Sequence, residues 1–169
     1  MQVAVRYFST FGNTKAIAEE IAAGAGVQAV SIVDEPELPE RVDVLFLGGA
    51  PYANIMAPEL REYAERLTAD KVGRVVLFST SNWSRRVVLA LRKVLKAKGI
   101  PVTSSHFWAH MTQIDPSKQR ARAFGEAGPG AGDTAAADRQ AIVAEAVSSV
   151  VIVVAFVVLG AVVARRIKA

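Results

Sequence analysis

The apolar residues of this chain change period as they go, and no other feature restricts its fold as much. Near-continuous apolar runs at residues 3–8, 27–33, 44–48, 75–79 and 100–107 have the length and β-branched content of buried strands. Between them, residues 14–23, 58–67 and 84–98 carry apolar side chains at helical spacing. The last is the clearest: Val87, Val88, Leu91, Val94 and Leu95 share a stripe, Arg85, Arg92, Lys93, Lys96 and Lys98 lie off it, and Gly99 stands where a helix stops. Strand and helix in alternation predict βαβ units, hence a parallel sheet with helices packed on it. The exception is the link at 33–43. Its DEPELPER is too short and too proline-marked for a crossover helix, and predicts a turn or a single helical turn.

Composition narrows what such a sheet can serve. With 169 residues, 51% of them hydrophobic, the chain buries one core, and its length suits one domain with an appendage. The net charge of +4 is spread evenly, as +2 over residues 1–110 (13 Lys and Arg against 11 Asp and Glu) and +2 over the rest (7 against 5). Neither part has the clustered cations of a nucleic-acid footprint, so no nucleic-acid partner is expected. The absence of cysteine excludes disulfides, thiolate chemistry and Cys-ligated metal centres. The opening MQVAVRYFST lacks the pattern of a secretory signal, which predicts a cytoplasmic location for this part of the chain.

Three short segments carry the candidate chemistry. Between the first strand and first helix stands STFGNT: Ser9, Thr10 and Thr14 offer hydroxyls, Gly12 lets a ligand approach the backbone, Asn13 tolerates a left-handed conformation, and Phe11 is apolar. A strand-to-helix turn aims free N–H groups and the positive end of the helix dipole at whatever sits there, so a phosphate is the natural guest. The bland alternative is an ordinary N-cap at Asn13 or Thr14. Two further loops tip the balance, because an open parallel sheet binds its ligand beyond the carboxyl ends of its strands. After the third strand come Ala50, Pro51, Tyr52, Ala53 and Asn54, and after the fourth come Ser79, Thr80, Ser81, Asn82 and Trp83. Tyr52 and Trp83 give each loop a ring on which a flat ligand could stack.

On these residues the chain resembles the flavodoxin family. That family's phosphate pattern, Ser or Thr followed by x-Thr-Gly-Asn-Thr, is met by Ser9, Gly12, Asn13 and Thr14, with Phe11 in place of the central Thr. VDVLFLGGAPY and VVLFSTS are similar to the family's third and fourth strands with their flavin loops, and the likeness runs over residues 1 to about 110. The resemblance implies an α/β flavodoxin-like three-layer sandwich with a five-stranded parallel sheet in the order 2-1-3-4-5. It also implies non-covalent FMN, its phosphate in the first loop and its ring between the other two, and a redox partner protein or quinone. The site residues it implies are those of the three segments, and the Ala53–Asn54 peptide, or its neighbour, is the unit expected to turn over beside the flavin. An electron carrier is the leading reading. An FMN-dependent NAD(P)H:quinone reductase and a non-catalytic interaction module are the alternatives. Phe11 removes a hydroxyl from the phosphate set. The +2 charge over residues 1–110 departs from the acidic surface usual in the family, and so from its basic partners.

The rest of the chain is expected to be of another kind. The flavodoxin-like domain is assigned to 1–115, and 116–138, whose GEAGPGAGDTAAAD is rich in Gly and Ala, to a loop or linker. Residues 139–169 are assigned to an apolar C-terminal helix. Within it, 146–164 are 19 consecutive uncharged positions ended by RRIK, long enough as a helix nearly to span a ~30 Å hydrocarbon layer. This predicts a membrane anchor holding the domain at the cytoplasmic face, the alternative being the last helix of the fold. His106 and His110 are four apart but follow a strand pattern, so no metal site is expected. Arg6, inside the first strand, has no account at this level.

Overall fold

In the computed structural model, residues 1–82 and 84–130 are described, and they fall within one unit, Met1–Thr134. The elements follow in order: β1 (Val3–Tyr7), α1 (Asn13–Ala25), β2 (Ala29–Ser31), β3 (Val42–Gly49), β4 (Pro51–Tyr52), β5 (Ile55–Met56), α2 (Pro58–Arg66), β6 (Val72–Ser81), α3 (Arg86–Ala97), β7 (Val102–His110) and α4 (Ile114–Ala127). The main sheet runs β2-β1-β3-β6-β7 with every pair parallel, which is the expected order 2-1-3-4-5 once the small β4–β5 hairpin is set aside. Successive strand residues point to opposite faces, so each strand feeds two cores. Leu45, Leu47, Val75 and Leu77 join Leu60, Tyr63, Leu91 and Leu95 beneath α2 and α3. Val44, Phe46, Val76 and Phe78 join Ile17, Ile21 and Phe124 beneath α1 and α4.

Arg6 acquires an account here. By strand alternation it shares the α2 and α3 face with Ala4 and Phe8. It is 6% exposed, and its Nη2 donates to Glu35 Oε2 at 2.6 Å. Glu35 sits in the link between β2 and β3, which makes one turn closed by Glu35 N–H on Ser31 O (3.0 Å), the single turn that the sequence predicts. Further along, Leu38 is buried at 3% and plugs the same core. A short loop with one apolar plug and one ion pair therefore does the work of a crossover helix. Tyr63, against the same guanidinium, is pushed up to about 12 by burial, an effect that Arg6 partly opposes.

The sequence-based reading needs correction in two places. Residues 116–127, assigned to a loop or linker, are helical, since α4 covers Ile114–Ala127 and packs on α1 as the missing helix of that layer. Its buried face is Ser117, Ala121, Phe124 and Gly125, which has helical spacing but a single large apolar residue, so a search for hydrophobic periodicity passes over it. The smallness has a cause: a Cβ on Gly125 would run into the carbonyl of Ile21, and one on Gly24 into that of Arg122. Secondly, β6 continues to Ser81 and β7 to His110, so Ser79, Thr80 and Ser81 belong to a strand rather than a loop. The assignments to 139–169, the anchor at 146–164 among them, lie outside the described residues. Among the described residues no helix is long and apolar enough to cross a membrane.

Candidate functional site

At the carboxyl end of the sheet, the segments after β1, β3 and β6 meet around one cavity of about 760 Å³. Its lining takes in Ser9, Phe11, Asn13 and Thr14 from the first, Ala50, Pro51, Tyr52, Ala53 and Asn54 from the second, and Thr80, Ser81 and Asn82 from the third. Residues 70 positions apart in the chain are thus brought together by parallel strands that all end at the same rim.

The first segment is built around Gly12. Its φ of 89° is left-handed, a conformation that glycine reaches without a Cβ penalty, and it turns the chain from β1 into α1. Gly12 N–H donates to Ser9 Oγ at 3.1 Å, and Ala16 N–H donates to Gly12 O at 2.9 Å. No side chain caps α1, so its first-turn N–H groups lack the acceptor that a helix start normally recruits. Gly12 stands at the N-cap, so neither Asn13 nor Thr14 caps the helix with its side chain. Thr14, 1% exposed, shares a hydrogen bond of 2.7 Å with Thr80, tying α1 to β6 at the cavity.

The second segment is a hairpin. Ala53 (φ 48°) and Asn54 (φ 65°) form its two-residue turn, both left-handed, as the tight turn joining β4 to β5 requires. Tyr52 accepts a hydrogen bond from Thr10 N–H on its Oη (2.8 Å), while its ring meets Phe8 edge-on at 5.8 Å and Phe11 at 6.2 Å. Its ring thus fastens the second segment to the first as well as lining the cavity. In the third segment, Trp108 Nε1–H of β7 donates to Ser81 Oγ (2.8 Å), and Ser81 in turn donates to Ser84 O (2.7 Å). This relay holds the chain where it leaves β6.

Some expected residues stand elsewhere. Thr10 and Gly12 shape the first turn without lining the cavity, and Ser79, wholly buried in β6, is likewise absent from it. Trp83 lies outside the described residues. Conversely, Ser84, Arg85, Arg86, Leu89 and Met111 line the cavity unforeseen. The N-terminus of α3 and the end of β7 reach the same rim as the three loops, and a parallel sheet order could have pointed to both. His106 and His110 both lie in β7, where four residues span about 13 Å, too far for one metal ion.

The class of fold is that of the flavodoxins. A flavodoxin from the domain Archaea superposes with a TM-score of 0.59 at 20% identity, over 75% of this chain and 94% of that one. Flavodoxin 1 from Bacillus cereus does so with a TM-score of 0.62 at 18% identity, over 74% and 95%. The same fold occurs within a larger protein, rubredoxin oxygen:oxidoreductase from Desulfovibrio gigas, with a TM-score of 0.60 at 13% identity, over 75% of this chain and 35% of that one. Neither a protein-family model nor a curated protein matches the sequence.

Proposed function

We propose that the cavity binds FMN and that the protein is an electron carrier, tethered to a membrane by residues 146–164. The observation that carries the first part is the uncapped, glycine-led start of α1 opening into the same cavity as the hairpin of Tyr52 and the end of β6. In this reading the phosphate sits on the first-turn N–H groups of α1 with the hydroxyls of Ser9 and Thr14. Asn13 would lie beside it, and the ring would be held between the Ala50–Asn54 segment and Thr80–Asn82. When bound, FMN supplies one- and two-electron chemistry, and the protein supplies binding, orientation and electrostatics. Tyr52 offers a face for stacking, and the Ala53 and Asn54 backbone offers N–H and C=O groups to the ring edge. The neighbours in fold are flavodoxins and proteins containing a flavodoxin-like part, which supports the same reading.

Membrane tethering rests on the sequence. The 19 uncharged positions include Val150, Val151, Val153, Phe156, Val157 and Leu159, which cover every direction of a helix, where a sheet-packed helix keeps a polar side. The place beside α1 is taken by α4. The domain is placed at the cytoplasmic face, where a redox partner protein or a quinone would meet it.

Absorbance and FMN titration of the purified chain test the reading directly. The protein is expected to be yellow. Thr14→Ala removes a hydrogen bond to an anion, worth about 1.5–3 kcal/mol, so FMN affinity should fall by about tenfold or more, and riboflavin should bind far more weakly than FMN. Equal affinity for riboflavin and FMN would sink the phosphate assignment. Steady-state NAD(P)H oxidation by the flavin-loaded protein would mark a reductase instead of a carrier. The full chain should pellet with membranes and resist alkaline carbonate, while a chain ended after Gly130 should stay soluble and yellow.

A further inference from the structure

The even balance of charge over residues 1–110 hides a division. Residues 1–70 hold 5 Lys and Arg against 11 Asp and Glu, whereas residues 71–114 hold 8 against none. Residues 115–130 return to near balance, with 3 against 2. The fold keeps the two kinds apart, because 71–114 form β6, α3 and β7, the side of the sheet away from β2. The acidic groups gather instead on α1, the link at 34–40 and α2.

On α3 the cations form two groups. Arg85 and Arg86, at its start, line the cavity and belong to that site. Arg92, Lys93, Lys96 and Lys98 occupy its second half and the residue after it, and the three lysines are exposed. None of these four has an ion-pair partner among the described residues. Arg92 donates to Thr103 O (2.6 Å) and Ser104 O (3.3 Å) of β7, contacts that hold its guanidinium without cancelling its charge. On one side α2 packs against α3 and brings Glu59, Glu62 and Glu65, but also Arg61 and Arg66, with Glu62 and Arg66 4.0 Å apart. Asp70, in the turn before β6, interacts with Lys71 and Arg41. On the other side β7 carries no acidic residue.

The way the helices run adds a second observation. Late residues of α1 meet late residues of α4, Gly24 facing the carbonyl of Arg122 and Gly125 that of Ile21, so these two helices run the same way. Both therefore end, like α3, at the amino ends of the parallel strands, opposite the cavity. The described residues stop at Gly130, just past the end of α4. Residues 131–145 separate this point from the uncharged segment at 146–164, a reach of at most about 50 Å.

We propose that the second half of α3 is a lipid-facing surface: Arg92, Lys93, Lys96 and Lys98 lie against anionic headgroups of the membrane that holds the tail, and the cavity faces away from the bilayer. The proposal rests on the membrane-tethering reading. Arg92, Lys93 and Lys96 fall within about 100° of the helix wheel, and four cations within seven residues are what an anionic cytoplasmic leaflet attracts. A short tether multiplies a weak attraction, because it keeps the cations near the headgroups at a high effective concentration. The consequence is an orientation. Arg86, at the cavity, lies about 15 Å along the helix from Lys96, so the site stands clear of the surface.

The full chain is reconstituted into vesicles of phosphatidylcholine, alone or with about 30% phosphatidylserine, that carry a headgroup fluorophore as energy-transfer acceptor. Because the sequence has no cysteine, a single donor label can be set at Ala97→Cys, at the end of α3, or at Gln113→Cys, at the opposite end of the sheet. Both positions are exposed and outside the cavity lining. With phosphatidylserine, transfer from the Ala97 label should exceed that from the Gln113 label about twofold or more, and about 500 mM salt should abolish the difference. Lys93→Glu with Lys96→Glu should abolish it too, with FMN uptake unchanged. The same change of charge on α4, Lys118→Glu with Arg122→Glu, should leave it in place, which separates a local face from net charge. Circular dichroism reports the folding of each variant. Transfer that ignores phosphatidylserine, that ignores the Lys93 and Lys96 reversal, or that is lost equally with the α4 reversal overturns the proposal. So does binding of single-stranded RNA that is lost with the Lys93 and Lys96 reversal while phosphatidylserine has no effect. Flotation with phosphatidylcholine vesicles tests the tether by itself. If the chain does not float with them, the tethering reading falls. Flotation with phosphatidylserine vesicles that is lost in Lys93→Glu with Lys96→Glu would then still support the lipid-facing surface, and its absence would overturn it.

Discussion

The two faces of the sheet are closed by different means. On one, α1 and α4 lie so near each other that Gly24 and Gly125 meet opposing backbone, and the core below is aromatic, with Phe124 between Phe46 (6.0 Å) and Phe107 (5.5 Å). On the other, α2 and α3 cover most of the sheet, and the edge beside β2 is finished by a loop, the Leu38 plug and the Arg6–Glu35 pair. The first face draws its stability from shape and fails abruptly when volume is added. The second contains a charge that must stay neutralised, so it fails by chemistry: loss of a partner or a change of pH.

The largest effect is expected on the first face. Gly125→Val would set a branched side chain against the Ile21 carbonyl, and overpacking of that kind costs about 3 kcal/mol or more, against only about 0.4 kcal/mol gained from helix propensity. Urea denaturation should show the loss, and an unchanged midpoint would mean that the helix pair is looser than described. A smaller loss is expected on the second face. Glu35→Gln leaves the Arg6 charge buried without its counterion, and since Glu35 is half exposed the cost should be about 2 kcal/mol, below that of a fully buried pair. Arg6→Met in that background should recover most of it, because an apolar side chain of similar length needs no counterion. If the double variant is as unstable as Glu35→Gln, the pair is not what closes this edge.

The third effect is absent near neutral pH and separates the faces only in alkali. Burial raises Tyr63 from 10 to about 12, so the unfolded chain loses this proton first. Stability from this group is complete below pH 10 and falls as pH rises toward 12, by about 1.4 kcal/mol per unit within that window. Tyr63 Oη makes no hydrogen bond with the described residues, so Tyr63→Phe should fold at least as stably as the parent at pH 8 and lose this part of the alkaline slope. A slope that persists in Tyr63→Phe would assign it to other groups.

Much of the site was legible because strand alternation and strand ends are local properties. The change of period located every long strand to within a few residues. Knowing that parallel strands bind at their carboxyl ends was then enough to nominate Asn13, Thr14, Tyr52, Asn54 and Thr80. What stayed hidden depended on contacts between distant segments. Nothing near Arg85, Leu89 or Met111 marks them as neighbours of Ser9; they become so because α3 starts and β7 ends at the same rim. Thr10 shows the converse, a hydroxyl residue in the right motif whose backbone N–H instead fastens the loop to Tyr52.

The sequence by itself therefore determined the layers and the three segments around the cavity, and the resemblance implied the strand order, since apolar period and turn chemistry act over a few residues. Tertiary structure decided α4, whose small-residue face has meaning only against the backbone of α1. It decided the partner of Arg6, which lies 29 positions away. It also decided which members of each loop line the cavity. Such contacts are fixed by what the rest of the chain brings within reach, and a helix face of Ser, Ala and Gly or a lone arginine in a strand carries no local sign of it.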